Sequence, residues 1–232
     1  MEWMFSLIGL FSIYSIIPTI LIRSFSYRIV KRKPKDKQFA LTFDDGPHPV
    51  YTSRLLDLLK EFDMKATFFV VTTNARRHPE IIQRMRDEGH EIGVHHDEHI
   101  STWVMTPFQV GKQLRRSREA IIELTGDTPV YYRPPWGHFN ISTLFVVKPF
   151  QVVMWSDIFQ DWKLSMGKNR LARNMRSRLS DGAIFVLHDN GDTFGADQEA
   201  PEMMLEALEQ FLPYVKERGY KSVTVRTLLQ DT

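Results

Sequence analysis

Two adjacent carboxylates, Asp44 and Asp45, follow the apolar run Phe39-Ala40-Leu41 and lead into the turn-forming pair Gly46-Pro47. Strand alternation would send their side chains to opposite faces. Further on, His95 and His99 stand four apart in His95-His96-Asp97-Glu98-His99. On one helical turn both imidazoles would face the same way and grip one ion. Two His and one Asp, with water in an open position, form a catalytic site for zinc or another divalent first-row metal. His96 is an alternative ligand that the spacing disfavours, and it is expected to pack or bond nearby. Arg133, Trp155-Ser156-Asp157 and His188-Asp189 complete the set of polar residues that directly follow apolar runs.

Those runs are the elements that must position the chemistry. Residues 39–43, 66–71, 91–94, 130–133, 151–155, 183–187 and 221–223 read as strands. Between them, 51–62, 79–88, 107–124, 171–179 and 201–218 carry helical periodicity, and a small helix ends the chain. Continuous apolar strands alternating with helices indicate a parallel sheet covered by helices. In such folds the loops at the carboxyl ends of the strands converge on one site. About seven strand–helix units fit an α/β barrel.

Composition narrows the function. The chain has no cysteine, which excludes disulfides, thiolate nucleophiles and cysteine-bound zinc. Seven of its 30 basic residues lie in the first 37, leaving 23 basic against 26 acidic groups beyond. A mildly acidic domain is no phosphate-backbone binder, so no nucleic-acid partner is expected. Residues 3–22 form a nearly continuous apolar run, about the length of a membrane-spanning helix. We read 1–23 as a membrane anchor, 24–37 as a basic linker and 38–232 as the catalytic domain. A cleaved signal peptide or a buried helix are the other readings of the first segment.

The motifs resemble the polysaccharide deacetylase family, the NodB-homology domain of carbohydrate esterase family four. The matching residues are Thr42-Phe43-Asp44-Asp45-Gly46-Pro47, then Gly89-His90-Glu91-Ile92-Gly93 with His95 and His99. Arg133-Pro134-Pro135-Trp136-Gly137, Trp155-Ser156-Asp157 with Asp161-Trp162, and Leu187-His188-Asp189 follow in the family's order. The resemblance implies a distorted (β/α)7-type barrel and metal-dependent removal of N-acetyl groups from glycans. It implies Asp44 as general base, Arg133 to orient it, His188 as general acid and Asp161 to tune that acid. Asp45, His95 and His99 would hold the metal, zinc first and cobalt, nickel or manganese as substitutes. Trp162 and Leu187 would line the pocket for the acetyl methyl, and the Trp136 backbone N–H would meet the oxyanion. Pro134 and Gly137 would shape that loop, and Asp157 would support the site or cap its loop.

The chemistry suits these residue types. An amide needs a polarised carbonyl and activated water, a base to take the water's proton, and an acid to protonate the leaving amine. Two departures from the family stand out: His96 replaces a small hydroxyl residue, and Trp136 replaces a smaller aromatic. Trp103, His48 and His138 are further candidates for substrate contact, and His90 reads as structural. The expected substrate is peptidoglycan, a chitin-like oligosaccharide or a lipid-linked sugar. The alternatives are a non-catalytic glycan-binding module, which loss of a site residue would mark, and an O-acetyl esterase. No obligate protein partner is evident. The basic residues after the apolar run favour a cytoplasmic domain. The substrates place it outside the cytoplasmic membrane on a single-pass anchor, and that is the expectation adopted.

Overall fold

A computed structural model describes residues 2–230. Helix α1 (Glu2–Phe11) passes through a π-helical turn, Ser12–Ile16, into α2 (Ile17–Phe25), followed by β1 (Ile29–Val30), β2 (Gln38–Asp44) and α3 (Tyr51–Glu61). Next come β3 (Ala66–Val70), α4 (Thr72–Arg77), α5 (Pro79–Asp87), β4 (Glu91–Val94) and α6 (Pro107–Thr125). Then β5 (Tyr131–Tyr132), α7 (Thr143–Val146), β6 (Gln151–Val153), β7 (Asp157–Ile158) and α8 (Lys168–Arg178) follow. The last elements are β8 (Ile184–His188), α9 (Ala200–Glu217), β9 (Lys221–Ser222) and α10 (Val225–Leu229).

The strands pair in parallel in the order β1-β6-β5-β4-β3-β2-β8-β7, with β9 beside β2. Only residues 154–156 separate β6 from β7, yet β6 pairs with β5 and β7 with β8. The sheet therefore curls until one stretch of chain touches both of its sides. The result is the distorted α/β barrel, closed at that seam by covalent continuity instead of a hydrogen-bond ladder. Period-two alternation divides its residues between two layers. Phe39, Leu41 and Phe43 pack outward in the large core that includes residues of α3, α5 and α9. Ala40, Phe69, Tyr131, Val153 and Ile184 form a smaller cluster with Val223, Val225 and Leu228. Thr42 and Asp44 share the Ala40 side of β2, and Arg133 continues the Tyr131 side of β5, so all three project inward.

Residues 24–37, read as a linker, are built into the domain. They carry β1, and the Lys35 amine donates to the carbonyls of Thr227 and Gln230 at the end of α10. Three further elements escaped the sequence reading: α4, a short polar helix, α7, a single turn ahead of β6, and β7, a two-residue strand defined by its partner β8.

Trp3–Phe25 is the one helix among the described residues long and apolar enough to cross a membrane. Part of it is docked. The Tyr14 hydroxyl donates to Met105 O at 2.9 Å and the Ser15 hydroxyl to Trp103 O at 2.8 Å. The π-turn region also offers the Tyr14 carbonyl to the Ile141 N–H at 2.9 Å. Thr19 is the centre of the contact: its hydroxyl donates to Phe139 O at 2.7 Å and accepts from Phe139 N and Trp103 Nε1, both at 2.8 Å. Trp103 is thereby spent on docking, with Phe11 edge-on to it and His138 stacked against it, and is no sugar platform.

Thr19→Val keeps the shape and removes the acceptor of two N–H donors. We expect a loss of about 2–4 kcal/mol, read as a lowered midpoint in thermal or urea denaturation of the full chain in detergent, whereas Ser12→Ala on the exposed face changes nothing.

Candidate active site

Asp44 ends β2, His188 ends β8, and His95, Arg133 and Trp155 follow β4, β5 and β6. Their loops meet over the carboxyl ends of the strands. A cleft of about 460 Å³ opens there, lined by Asp44, Asp45, His95, His99, Trp136, Gly137, Trp155, Trp162 and His188, among others.

Arg133 is wholly buried. Its Nε donates to Val153 O and its Nη2 to Met154 O, each at 3.0 Å, while Nη1 donates to Thr42 Oγ1 and Asp44 Oδ1, each at 2.7 Å. The centroid of the Phe69 ring lies 4.1 Å from the guanidinium carbon. Asp44 is thus held by one oxygen, and its second oxygen makes no hydrogen bond to described residues.

Strand alternation fails at Asp45. Its φ is +78°, so the chain twists and turns this carboxylate into the same cleft as its neighbour. Asp tolerates that left-handed conformation better than most residues. Amide side chains from Asn74 and Asn190 hold the Asp45 carbonyl at 3.1 and 3.4 Å, and Val71 N–H donates to Gly46 O at 3.0 Å. Such surroundings fix a strained residue.

Asp45 Oδ1 lies 3.3 Å from His95 Nε2 and 3.1 Å from His99 Nε2. Burial alone would raise the Asp45 pKa. The neighbouring His99 and His95 imidazoles outweigh it and hold the carboxyl well below the usual range, so it stays an anion. The expected helical turn is absent: the two histidines sit on a bend after β4, brought together because His96 between them has φ +71°. His95 Nδ1 is 2.8 Å from Arg133 O, an acceptor, so that nitrogen carries the proton and Nε2 presents a lone pair to a carboxylate oxygen. Two electron-rich atoms facing each other call for a cation between them. Ligand atoms of Asp45, His95 and His99 all lie within 4.8 Å of one another. This donor set fits a divalent metal ion.

His96 is not in that set. It is fully buried, with Nδ1 3.1 Å from Ile100 O and Nε2 2.7 Å from the Tyr132 hydroxyl. Nδ1–H donates to the carbonyl, so Nε2 accepts from Tyr132. Burial pushes its pKa down to about 3, so the ring is neutral.

His188 belongs to a second ion pair. Its Nδ1 lies 3.1 Å from Asp161 Oδ1, and its backbone N–H donates to Asp161 Oδ2 at 2.7 Å. Burial would lower its pKa, but the Asp161 charge and hydrogen bond, helped by Asp45 and Asp44, push it up to about 10. Trp162 stands edge-on to this ring, 5.3 Å between centroids. Asp189 next door is buried, and burial with the nearby Asp45 charge pushes it up to about 7. Any side chain at position 46 would collide with it, which explains Gly46.

Some of the expected pocket residues stand elsewhere. Leu187 is fully buried in the outer core, because alternation along β8 turns it away, and Val186 lines the cleft in its place. Asp157 is turned toward the outside of the barrel, beside Arg32 at 3.7 Å and Arg178 at 4.0 Å. Pro134 is buried behind the loop it shapes, whereas Trp136, with φ +54°, exposes its ring beside His99, 4.1 Å between centroids. His48 accepts from the N–H groups of Val50 and Tyr51 at the start of α3 and does not line the cleft. His138 lines it, while its Nδ1 bonds Ser101 at 2.8 Å. Residues that the motifs did not flag also line it: Arg23, Ile158, and Thr193 to Ala196 with the exposed Phe194. No motif marks them: Arg23 sits before the domain, Ile158 lies in the two-residue β7, and residues 193–196 form an irregular loop.

Tyr132→Phe separates the two roles considered for His96. A structural His96 loses its buried partner, so stability falls by about 1–3 kcal/mol while zinc affinity by calorimetry stays unchanged. A drop in affinity would make His96 a ligand.

The sequence and the fold are similar to those of known proteins. The family model described as polysaccharide deacetylase matches residues 31–155. A peptidoglycan-N-acetylglucosamine deacetylase of Bacillus cereus is 31% identical over 199 residues, covering 84% of this chain and 89% of its own. A crystal structure of a peptidoglycan N-acetylglucosamine deacetylase superposes with a TM-score of 0.81 at 28% identity, covering 91% of this chain and 97% of that one. A family 4 acetyl xylan esterase from Clostridium thermocellum, solved with a cobalt ion, gives 0.74 at 34% identity, covering 82% and 89%. With its sequence matched over more than half its length and its barrel shared, this chain belongs to the polysaccharide deacetylase family.

Proposed function

We propose that this protein is a metal-dependent hydrolase that removes N-linked acetyl groups from an N-acetylated glycan. The observation that carries the reading is the separate employment of two adjacent carboxylates. Asp45 faces His95 and His99, and Asp44 is bound to Arg133, with the His188–Asp161 pair on the same cleft. Asp45, His95 and His99 would hold the ion, zinc by the donor set, with cobalt, nickel or manganese as substitutes. When bound, a divalent ion lowers the pKa of water and polarises a carbonyl.

The side chains supply the rest. Arg133 fixes one oxygen of Asp44 and leaves the other to accept a proton from the attacking water. His188 carries a proton at Nε2, because Asp161 holds the Nδ1 side, and delivers it to the departing amine. The Trp136 backbone N–H would serve the oxyanion, and Trp162 with Val186 would enclose the acetyl methyl. An O-acetyl esterase is the second reading, favoured by the likeness to the xylan esterase. The strongly held cationic His188 argues for the amide, since an amine leaves only when protonated and an alkoxide depends on acid less. The B. cereus relative points to peptidoglycan as the glycan. The apolar Trp3–Phe25 helix supports a single-pass anchor in the cytoplasmic membrane, with the domain on the outer side where that glycan lies.

Acetate release from N-acetylated oligosaccharides tests the chemistry. Asp44→Asn should lower kcat about 10²–10⁴-fold with zinc affinity kept, and a chelator should abolish turnover until zinc is restored; unchanged release in either case sinks the mechanism. Asp161→Asn removes the anion that raises the His188 pKa. Protonated His188 is the working form, so the alkaline fall in kcat/KM should move to lower pH, as read from a pH–rate profile.

A further inference from the structure

Arg23 lies in the last turn of α2, ahead of the family-matched segment, and yet lines the catalytic cleft with Asp44, Asp45 and His188. It stands four residues after Thr19, so the two share one helix face. The hydrogen bonds that join Thr19 with Phe139 and Trp103 therefore aim Arg23 at the cleft. Its guanidinium carbon sits 5.1 Å from the centroid of the Trp155 ring, which also receives Arg133 at 5.7 Å.

The charges in the cleft are otherwise answered. Asp44 is paired with Arg133, Asp45 with His95 and His99, and Asp161 with His188. No ion pair among the described residues includes Arg23, and its side chain is half-buried. The neighbouring His138 is no counter-charge, because an imidazole is neutral or cationic, and burial pushes its pKa down to about 4. A half-desolvated guanidinium without an anion is costly, and its planar fork matches a carboxylate or a phosphate.

We infer that Arg23 forms an anion subsite, so that the glycan deacetylated here carries a carboxylate or phosphate near the reacting N-acetyl group. This rests on the glycan reading above. It gives the N-terminal helix a part in substrate selection, because the barrel's own cations at the cleft, Arg133 and His188, are already paired with Asp44 and Asp161.

The test uses the full chain in detergent micelles with zinc, in the Asp44→Asn background so that binding is read without turnover. Tryptophan fluorescence follows the binding of three N-acetylated oligosaccharides of equal length: neutral, carboxylate-bearing and phosphodiester-bearing. Wild-type Arg23 should prefer an anionic form about ten-fold over the neutral one, and the preference should weaken with salt. Arg23→Gln should abolish the preference and leave neutral binding unchanged, while Arg23→Lys keeps part of it. The better of the two anionic forms tells a sugar acid from a phosphate-linked glycan. Equal affinities for all three overturn the inference alone. So does an Arg23→Gln protein that loses affinity for anionic lipid vesicles but keeps its glycan preference. Binding of none of the three overturns it together with the glycan reading.

Discussion

The buried pair of Arg133 and Asp44 is the constraint on which the barrel and its chemistry both depend. A guanidinium with no exposure is tolerable only when its donors are matched and its charge is met. Here Asp44 and Thr42 come from β2, while Val153 and Met154 offer carbonyls at β6 and just beyond it. Strand β5 has two residues and β6 three, too few for a strong ladder. The guanidinium takes over the work of holding β2, β5 and β6 at one radius. Removing one partner of such a pair leaves an uncompensated buried charge, typically a cost of about 3–5 kcal/mol. The group that organises the fold is thus the group that fixes the candidate base.

That coupling explains how neighbouring residues acquire different roles. Asp44 is still strand, its side chain committed inward by alternation, and it meets the one fully buried arginine among the described residues. Asp45 has left the strand, and its positive φ carries its carboxylate to the histidines that follow β4. Arg133 links the two halves through its carbonyl, which accepts from His95 Nδ1 and so turns Nε2 toward Asp45. Polar partners of this kind orient metal ligands and set their basicity.

The layered α/β architecture was legible because parallel strands buried on both faces are written as unbroken apolar runs. The convergence of Asp44, His95, Arg133 and His188 followed from their positions at strand ends. What was hidden lies in backbone torsions and three-dimensional partners. The residues 95–99 have helical spacing, but His96 adopts a left-handed conformation that Tyr132 and Ile100 stabilise from elsewhere in the chain. Leu187 and Val186 exchange roles because a shift of one residue inverts the facing of a strand. Asp157 sits where a motif would put a functional group, yet Arg32 from the supposed linker and Arg178 from α8 claim it. Strand β1 has no sequence signal of its own; it exists because β6 offers an edge.

The N-terminal helix shows the same dependence on partners. By length and composition it is a candidate membrane span, and such a span on a loose stem would leave the domain free to tumble above a membrane. Tyr14, Ser15 and Thr19 remove that freedom by bonding to the loops around Trp103 and Phe139. Only residues 26–28 separate the end of α2 from β1, so no flexible tether intervenes. At 1.5 Å per residue, Arg23 stands about 3 Å along the axis from the helix end. With the apolar helix in a bilayer, the cleft is fixed at the membrane surface and does not sweep through the space above it. On the glycan reading proposed above, the substrate would then reach the cleft where it meets that surface.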